Sequence, residues 1–344
     1  MVTRRAVIKG IRDVAAVAAV APSAIRAAQP AAPSEGDVLA VVEKSSHAVS
    51  FYDTSTGRRQ DSIALPHYPH ELAADSRRRL GYVGHYGVRM SSDTGEGGAA
   101  VFVLDLAARK LIRTVDLRPF NRIHGVGTDA RDRLYALSEA KATLLGFDDP
   151  PTDQEPTRAV PTDGVKTHLF AISRDGERAY VTGLLSHTVS LVRPYDPVAR
   201  PVVMTPGERP EGLCLSHDER TLYVGARRSH RLVALDAHRM TVRTTVPVPG
   251  DPLRVYARPD GVVLMTDIAD NSLTAFTPDL RRLWSLRLPG TPSAVSFHPN
   301  AALAYVSQLG GGDQVSIVDL ESRSIVGGFT TGREPDSSVL LPAT

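Results

Sequence analysis

The sequence predicts an all-β fold, a seven-bladed β-propeller of four-stranded blades. Three observations predict it. One unit recurs along the chain: Pro or a substitute, a variable residue, alternating apolar residues, a turn, then an aromatic–aliphatic pair that is usually Tyr-Val. The units follow one another roughly every 42 residues, the period of a propeller blade. Between units the pattern alternates with period two and is rich in β-branched residues, as in Thr188–Val192 and Gln314–Asp319. No stretch reads as an amphipathic helix. A length of 344 residues would suggest two domains. The repeat overrides that expectation and places one propeller domain over 37–342.

Taken in order, the first copy runs Pro69-His70-Glu71-Leu72 to Tyr82-Val83. Ile123-His124-Gly125-Val126 leads to Tyr135-Ala136, and Thr167-His168-Leu169-Phe170 to Tyr180-Val181. Pro210-Glu211-Gly212-Leu213 leads to Tyr223-Val224, Pro252-Leu253-Arg254-Val255 to Leu264-Met265, and Pro292-Ser293-Ala294-Val295 to Tyr305-Val306. The seventh copy, Pro335-Asp336-Ser337-Ser338, lies just before the C-terminus. The first interval is lengthened by a Gly/Ser-rich insertion over 87–99. Asp175-Gly176, Asp260-Gly261 and Pro299-Asn300 mark turns between strands. The phase predicts how the ring closes. Segments 38–42, 48–53 and 60–65 supply three strands of one blade, and the lone C-terminal strand 336–341 supplies its fourth. Such closure removes exposed sheet edges.

Tyr180-Val181-Thr182-Gly183 nearly spells the signature of the YVTN-type β-propeller repeat proteins, and the chain resembles exported YncE-like propellers over about 37–342. The resemblance implies the fold; such propellers host many activities. At the N-terminus, Thr3-Arg4-Arg5-Ala6-Val7-Ile8-Lys9 and the Ala/Val-rich run after it resemble a bacterial twin-arginine export signal. That resemblance implies a signal over 1–28, a Pro/Ala-rich linker over 29–36, and a periplasmic or extracellular location. The twin-arginine route carries folded proteins, often with a cofactor inserted.

Composition narrows the function classes. The net charge of +2 comes from the N-terminal 35 residues; the remainder carries 35 basic against 36 acidic residues. No basic stripe with interleaved aromatics accompanies it, which disfavours nucleic acid as a partner. No later run of 18 apolar residues would span a membrane. A single cysteine, Cys214, excludes an internal disulfide, a paired-cysteine metal site and c-type haem attachment. There is no phosphate-loop motif and no Gly-x-Ser-x-Gly nucleophile turn. The expected state is a monomer.

The first strand of each propeller blade lines the central channel, and the variable residue after the Pro position lies near its mouth. Around the ring that position reads His70, His124, His168, Glu211, Leu253, Ser293 and Asp336. Three consecutive imidazoles and a carboxylate are suitable ligands for Zn²⁺, Fe²⁺, Mn²⁺ or Cu²⁺, and an open position would activate water or hold substrate. His70, His124, His168 and Glu211 are therefore the expected metal ligands or acid–base groups. Arg254 would pair with an anionic group of a substrate. Glu139, just past a second strand, would hydrogen-bond an imidazole as an outer ligand. Glu71 would join the cluster as an outer ligand or substrate contact, although alternation with His70 would turn it into the blade. His67 would cap the same face, and Asp336 would contact substrate. His47, His187 and His230 recur at one turn position, which points to turn chemistry.

Two function classes follow. The first is a metal-assisted enzyme acting on a small molecule by hydrolysis, elimination or isomerisation, or oxidation. Lactonases and lyases occur among propellers of this size, although their detailed motifs are not matched. The second is a binding module that carries a cofactor such as a tetrapyrrole, or contacts a peptide, a partner protein or, more weakly, DNA. Convergence of the three histidines separates the two.

Overall fold

The computed structural model describes residues 32–196 and 198–343. The expected signal over 1–28 lies outside the described residues. Among the described residues the chain forms seven four-stranded antiparallel sheets, and the only helical element is a 3₁₀ turn, Lys44–Ser46. Among the described residues no helix is long and apolar enough to cross a membrane. We number the blades by their position in the chain, with blade 1 the one that closes the ring.

Blade 1 joins the two ends of the domain. Val38–Glu43 lies between Ala48–Asp53 and the C-terminal strand Pro335–Leu341. The pairing runs from Val38 opposite Leu341 to Glu43 opposite Pro335. Blades 2 to 7 begin at Pro69, Ile123, Thr167, Pro210, Pro252 and Thr291. The sequence period thus maps one unit to one sheet, with the phase predicted.

The core lies between blades. In each unit the residues of the second and third strands alternate between the two faces of their sheet, and both faces are covered by neighbouring blades. Continuous burial of these strands follows, as in Ala179–Gly183 and Leu134–Ser138, while the fourth strands are largely exposed. The repeated tyrosines carry much of this packing. Tyr82, Tyr135, Tyr180 and Tyr305 are among the largest fully buried side chains. Tyr180 packs on Leu222, Val233 and Leu235 of the next blade and donates its hydroxyl to the Ala237 carbonyl at 2.9 Å. Tyr223 does the same to Pro278 at 3.0 Å. Tyr180 and Tyr223 thereby fill apolar interfaces and satisfy their one polar atom across them.

One irregularity of this regular frame positions the site. In blades 2 to 5 the ladder between first and second strands shifts at the channel residue: between Pro69 and Leu72, Ile123 and Val126, Thr167 and Phe170, Pro210 and Leu213. A β-bulge there leaves the residue after the Pro position unpaired and re-aims its side chain. The residue two places before the channel position has a left-handed backbone in five blades, at Tyr68, Arg122, Lys166, Arg209 and Glu334.

Candidate functional site

The three predicted histidines meet at the channel mouth. The rings of His70 and His124 are 4.0 Å apart between centroids, tilted by 43°. Those of His124 and His168 are 3.6 Å apart, tilted by 38°. His124 is thus flanked on both sides by imidazoles, and Tyr86 stands edge-on to it at 4.9 Å. All four side chains are buried.

The flanking rings are held by carboxylates. Glu139 contacts Nδ1 of His168 at 2.7 Å and accepts the Tyr86 hydroxyl on both oxygens at 2.9 Å. Asp336 lies 2.9 Å from Nδ1 of His70, a close contact not aligned with the ring N–H. Carboxylates behind imidazoles fix ring orientation and raise ligand basicity in metal sites. His124 has no such partner: both its nitrogens are buried without a hydrogen bond. Burial foremost, then the neighbouring His168 and His70, hold its pKa well below the usual histidine value. It is a neutral imidazole with free lone-pair capacity at neutral pH.

Glu71 departs from expectation. It does not turn into the blade. The bulge breaks the alternation, so consecutive residues His70 and Glu71 both reach the channel, with Oε1 of Glu71 3.8 Å from Nδ1 of His70. His70, Glu71 and His124 form a group whose potential ligand atoms all lie within 4.8 Å of one another. Tetrahedral ligands with bonds of about 2.1 Å stand about 3.4 Å apart, so small side-chain rotations close this set on an ion. His168 lies beside the group, stacked on His124. Its Nε2 is 3.7 Å from Glu211, whose other oxygen accepts from Arg227 at 2.6 Å. Arg227 in turn grips Asp251 with two 2.6 Å bonds. Burial works to raise the Glu211 pKa, but the positive fields of His168 and Arg227 prevail and leave it below the usual glutamate value. For Asp336, likewise, His70, Lys44 and Arg254 outweigh burial and hold its pKa far below the ordinary carboxylate value.

Arg254 is buried, not at the surface, and its guanidinium pairs with Glu71. His67 does not cap the cluster; it is exposed, with its ring edge-on to His47 at 4.7 Å. His47, His187 and His230 have left-handed backbones, and their Nδ1 atoms bond backbone groups of the following loop. These are the predicted turn histidines.

Four residues that hold the candidate site together escaped the sequence reading: Tyr86, Arg122, Lys166 and Arg227. Arg122 bonds Glu139 at 3.3 Å and the carbonyls of Asp93 at 2.6 Å and Gly95 at 2.8 Å. Lys166 bonds the Ser91 carbonyl. Together they fasten the insertion over 87–99 to the loops from which His124 and His168 project. A signal for two of the four was present. Tyr86, Glu139 and Arg227 each follow their blade's repeated tyrosine by the same interval, a second ring of polar positions around the channel.

This geometry defines a seven-bladed β-propeller with two buried histidines and a half-buried glutamate grouped at one channel mouth. No family model matches the chain, and no curated protein matches it. Solved structures do. A protein from Lactobacillus plantarum superposes with a TM-score of 0.72 at 18% identity, over 90% of this chain and all of that one. Hydrazine synthase from Kuenenia stuttgartiensis gives 0.67 at 14% identity, over 91% of this chain and 99% of that one. The dihydro-heme d1 dehydrogenase NirN, in complex with DHE, gives 0.62 at 15% identity over 86% of this chain, which spans 64% of that one. Likeness at these identities shows the fold alone.

Proposed function

We propose that the channel mouth holds a divalent transition-metal ion on His70, His124 and Glu71, and that the protein uses it on a small molecule. One observation carries this reading: His124 is a buried, neutral imidazole with two unpartnered nitrogens, placed within ligand range of a second imidazole and a carboxylate. Leaving buried polar atoms unpaired costs roughly 1–3 kcal/mol each, and a metal ion relieves that cost. Asp336 and Glu139 behind the flanking rings fit the outer shell of such a site. When bound, the ion supplies Lewis-acid chemistry and an acidified water. His70, Glu71 and His124 hold it, while His168, oriented by Glu139 and beside Glu211, stands ready to exchange a proton with a small molecule. Hydrolysis, elimination or isomerisation, and metal-assisted oxidation are the reaction classes this set serves.

The family and the location belong to the same proposal. The repeat supports the reading that the chain is a YVTN-type, YncE-like propeller, and the paired arginines near the N-terminus support the reading that it is exported by the twin-arginine route.

A tetrapyrrole carrier is the second reading. One fold neighbour is described in complex with DHE, and a free imidazole nitrogen can serve as an axial ligand. Both ring nitrogens of His124 are buried, which gives a macrocycle no open approach to them, so the ion is favoured. Elemental mass spectrometry on the exported, tag-free protein tests the choice. The expected result is about one equivalent of a transition metal, lost in a His70→Ala, His124→Ala double variant. No metal in either protein after reconstitution, or a visible absorption band of a bound macrocycle, overturns it.

A further inference from the structure

Beyond the cluster, the channel continues along the first strands of blades 2, 4, 5 and 6. A cavity of about 110 Å³ lies there, lined by Glu71, Leu169, Phe170, Leu213, Arg254 and Tyr256 among others. Leu169 and Phe170 follow His168 in their strand, Leu213 follows Glu211, and Tyr256 follows Arg254. The cavity therefore lies deeper in the channel than the cluster, on the side away from the insertion over 87–99. Leu169, Phe170, Leu213 and Val255 supply its apolar wall, and Glu71 and Arg254 lie on its polar side. A small chamber with an apolar wall facing one cation and one carboxylate is the pattern of a site for a small polar-headed molecule.

Arg254 carries unused binding capacity. It is buried, and among the described residues its side chain donates one hydrogen bond, to Glu71, while its Nε finds no acceptor. Its ion-pair partner, Glu71, is also the carboxylate of the proposed metal group. An ion that draws on Glu71 leaves the Arg254 guanidinium short of counter-charge in a buried site, and such charge is costly in a low-dielectric interior. An anion that binds with the metal supplies it. Guanidinium is the group best suited to recognise a planar carboxylate.

We propose that the small molecule is a short-chain monocarboxylate. Its carboxylate sits against Arg254 on the metal side, and its alkyl group fills the chamber between Leu169, Phe170 and Leu213. It enters from the channel end opposite the insertion. This inference rests on the metal reading for its charge balance, and it is measured separately. Acetate, propionate and butyrate are titrated calorimetrically into metal-loaded and metal-free protein, with acetamide and propionamide as neutral controls, while metal content is followed by elemental mass spectrometry. The expected result is carboxylate binding that the amides do not reproduce. Loading with metal should tighten it at least tenfold. Arg254→Lys should weaken it at least tenfold while retaining metal. Leu213→Trp, which fills the chamber and leaves Arg254 in place, should abolish binding of butyrate before that of acetate. Equal binding of acids and amides, or unchanged carboxylate affinity in both variants, overturns the inference. Metal uptake without carboxylate binding overturns it and leaves the metal site standing. Arg254-dependent carboxylate binding in a protein that takes up no metal overturns the metal site and leaves the anion site standing. A protein that takes up neither overturns both.

Discussion

Replacing His124 by leucine separates a site residue from a packing residue, because the two roles predict opposite signs. In the metal-free protein both ring nitrogens are buried without partners. Each such group costs about 1–3 kcal/mol, and the stacked neighbours give part of that back. A leucine of similar volume removes both polar atoms and keeps the ring's place filled. The His124→Leu variant in EDTA is therefore expected to be more stable than the parent, by about 1–3 kcal/mol, read as a rise in urea midpoint at constant slope. With zinc at a hundredfold excess over its dissociation constant the order narrows or reverses, since the parent gains about 2.7 kcal/mol by binding and the variant gains nothing. The pH dependence gives a second reading. Burial, then His168 and His70, depress the His124 pKa well below 6.5. Above pH 6.5 the ring is neutral in both states and contributes no slope. Below it the unfolded chain takes up a proton that the folded protein refuses, so stability falls as pH falls, by up to about 1.4 kcal/mol per pH unit. The leucine variant lacks this share of the slope. A variant that loses 2 kcal/mol or more in EDTA, or keeps the parent's acid slope, would refute the account of His124.

Three further outcomes follow from the same geometry. Asp336→Asn removes the charge beside Nδ1 of His70 and should weaken metal binding about 10–100-fold, measured by competition with a chromophoric chelator; because the depressed pKa of Asp336 means that its charge stabilises the fold at neutral pH, the urea midpoint should fall as well. Gly212→Ala would place a Cβ 2.4 Å from the Leu253 carbonyl and 2.6 Å from Cα of Arg254; backbone cannot yield cheaply there, so a loss of about 1–3 kcal/mol is expected, and a variant of parental stability would contradict the packing. Ending the chain before Pro335 strips the pairing partner of Val38–Glu43 and exposes a long, apolar strand edge, so cooperative unfolding should be lost and light scattering should rise.

The fold was legible because a propeller writes its architecture as a period. The Pro position, the repeated tyrosine and the lone strand at 336–341 each had one counterpart in the ring, and Val38 does pair with Leu341. The histidines were legible for the same reason, since one repeat position in consecutive blades becomes neighbouring places around one channel. Glu139 was placed beside an imidazole from its position after a strand, and its 2.7 Å contact with His168 matches. Glu71 was misjudged because period-two alternation holds only along an unbroken ladder, and the bulge between Pro69 and Leu72 breaks it at that residue. Arg254 was expected to be free for an anion. Its partner Glu71 comes from the far side of the ring, a pairing across blades that the repeat alone does not specify. Arg122 and Lys166 stayed hidden because their role depends on the insertion over 87–99, which has no counterpart in other blades.

The account rests on an ion at His70, Glu71 and His124, and diffraction at that metal's absorption edge tests it most directly. One anomalous peak is predicted at the channel mouth, about 2.0–2.2 Å from a ring nitrogen of His70, a ring nitrogen of His124 and an oxygen of Glu71. Crystals soaked with zinc, copper, manganese or iron that show no peak there, with His124 still unpartnered, would contradict it.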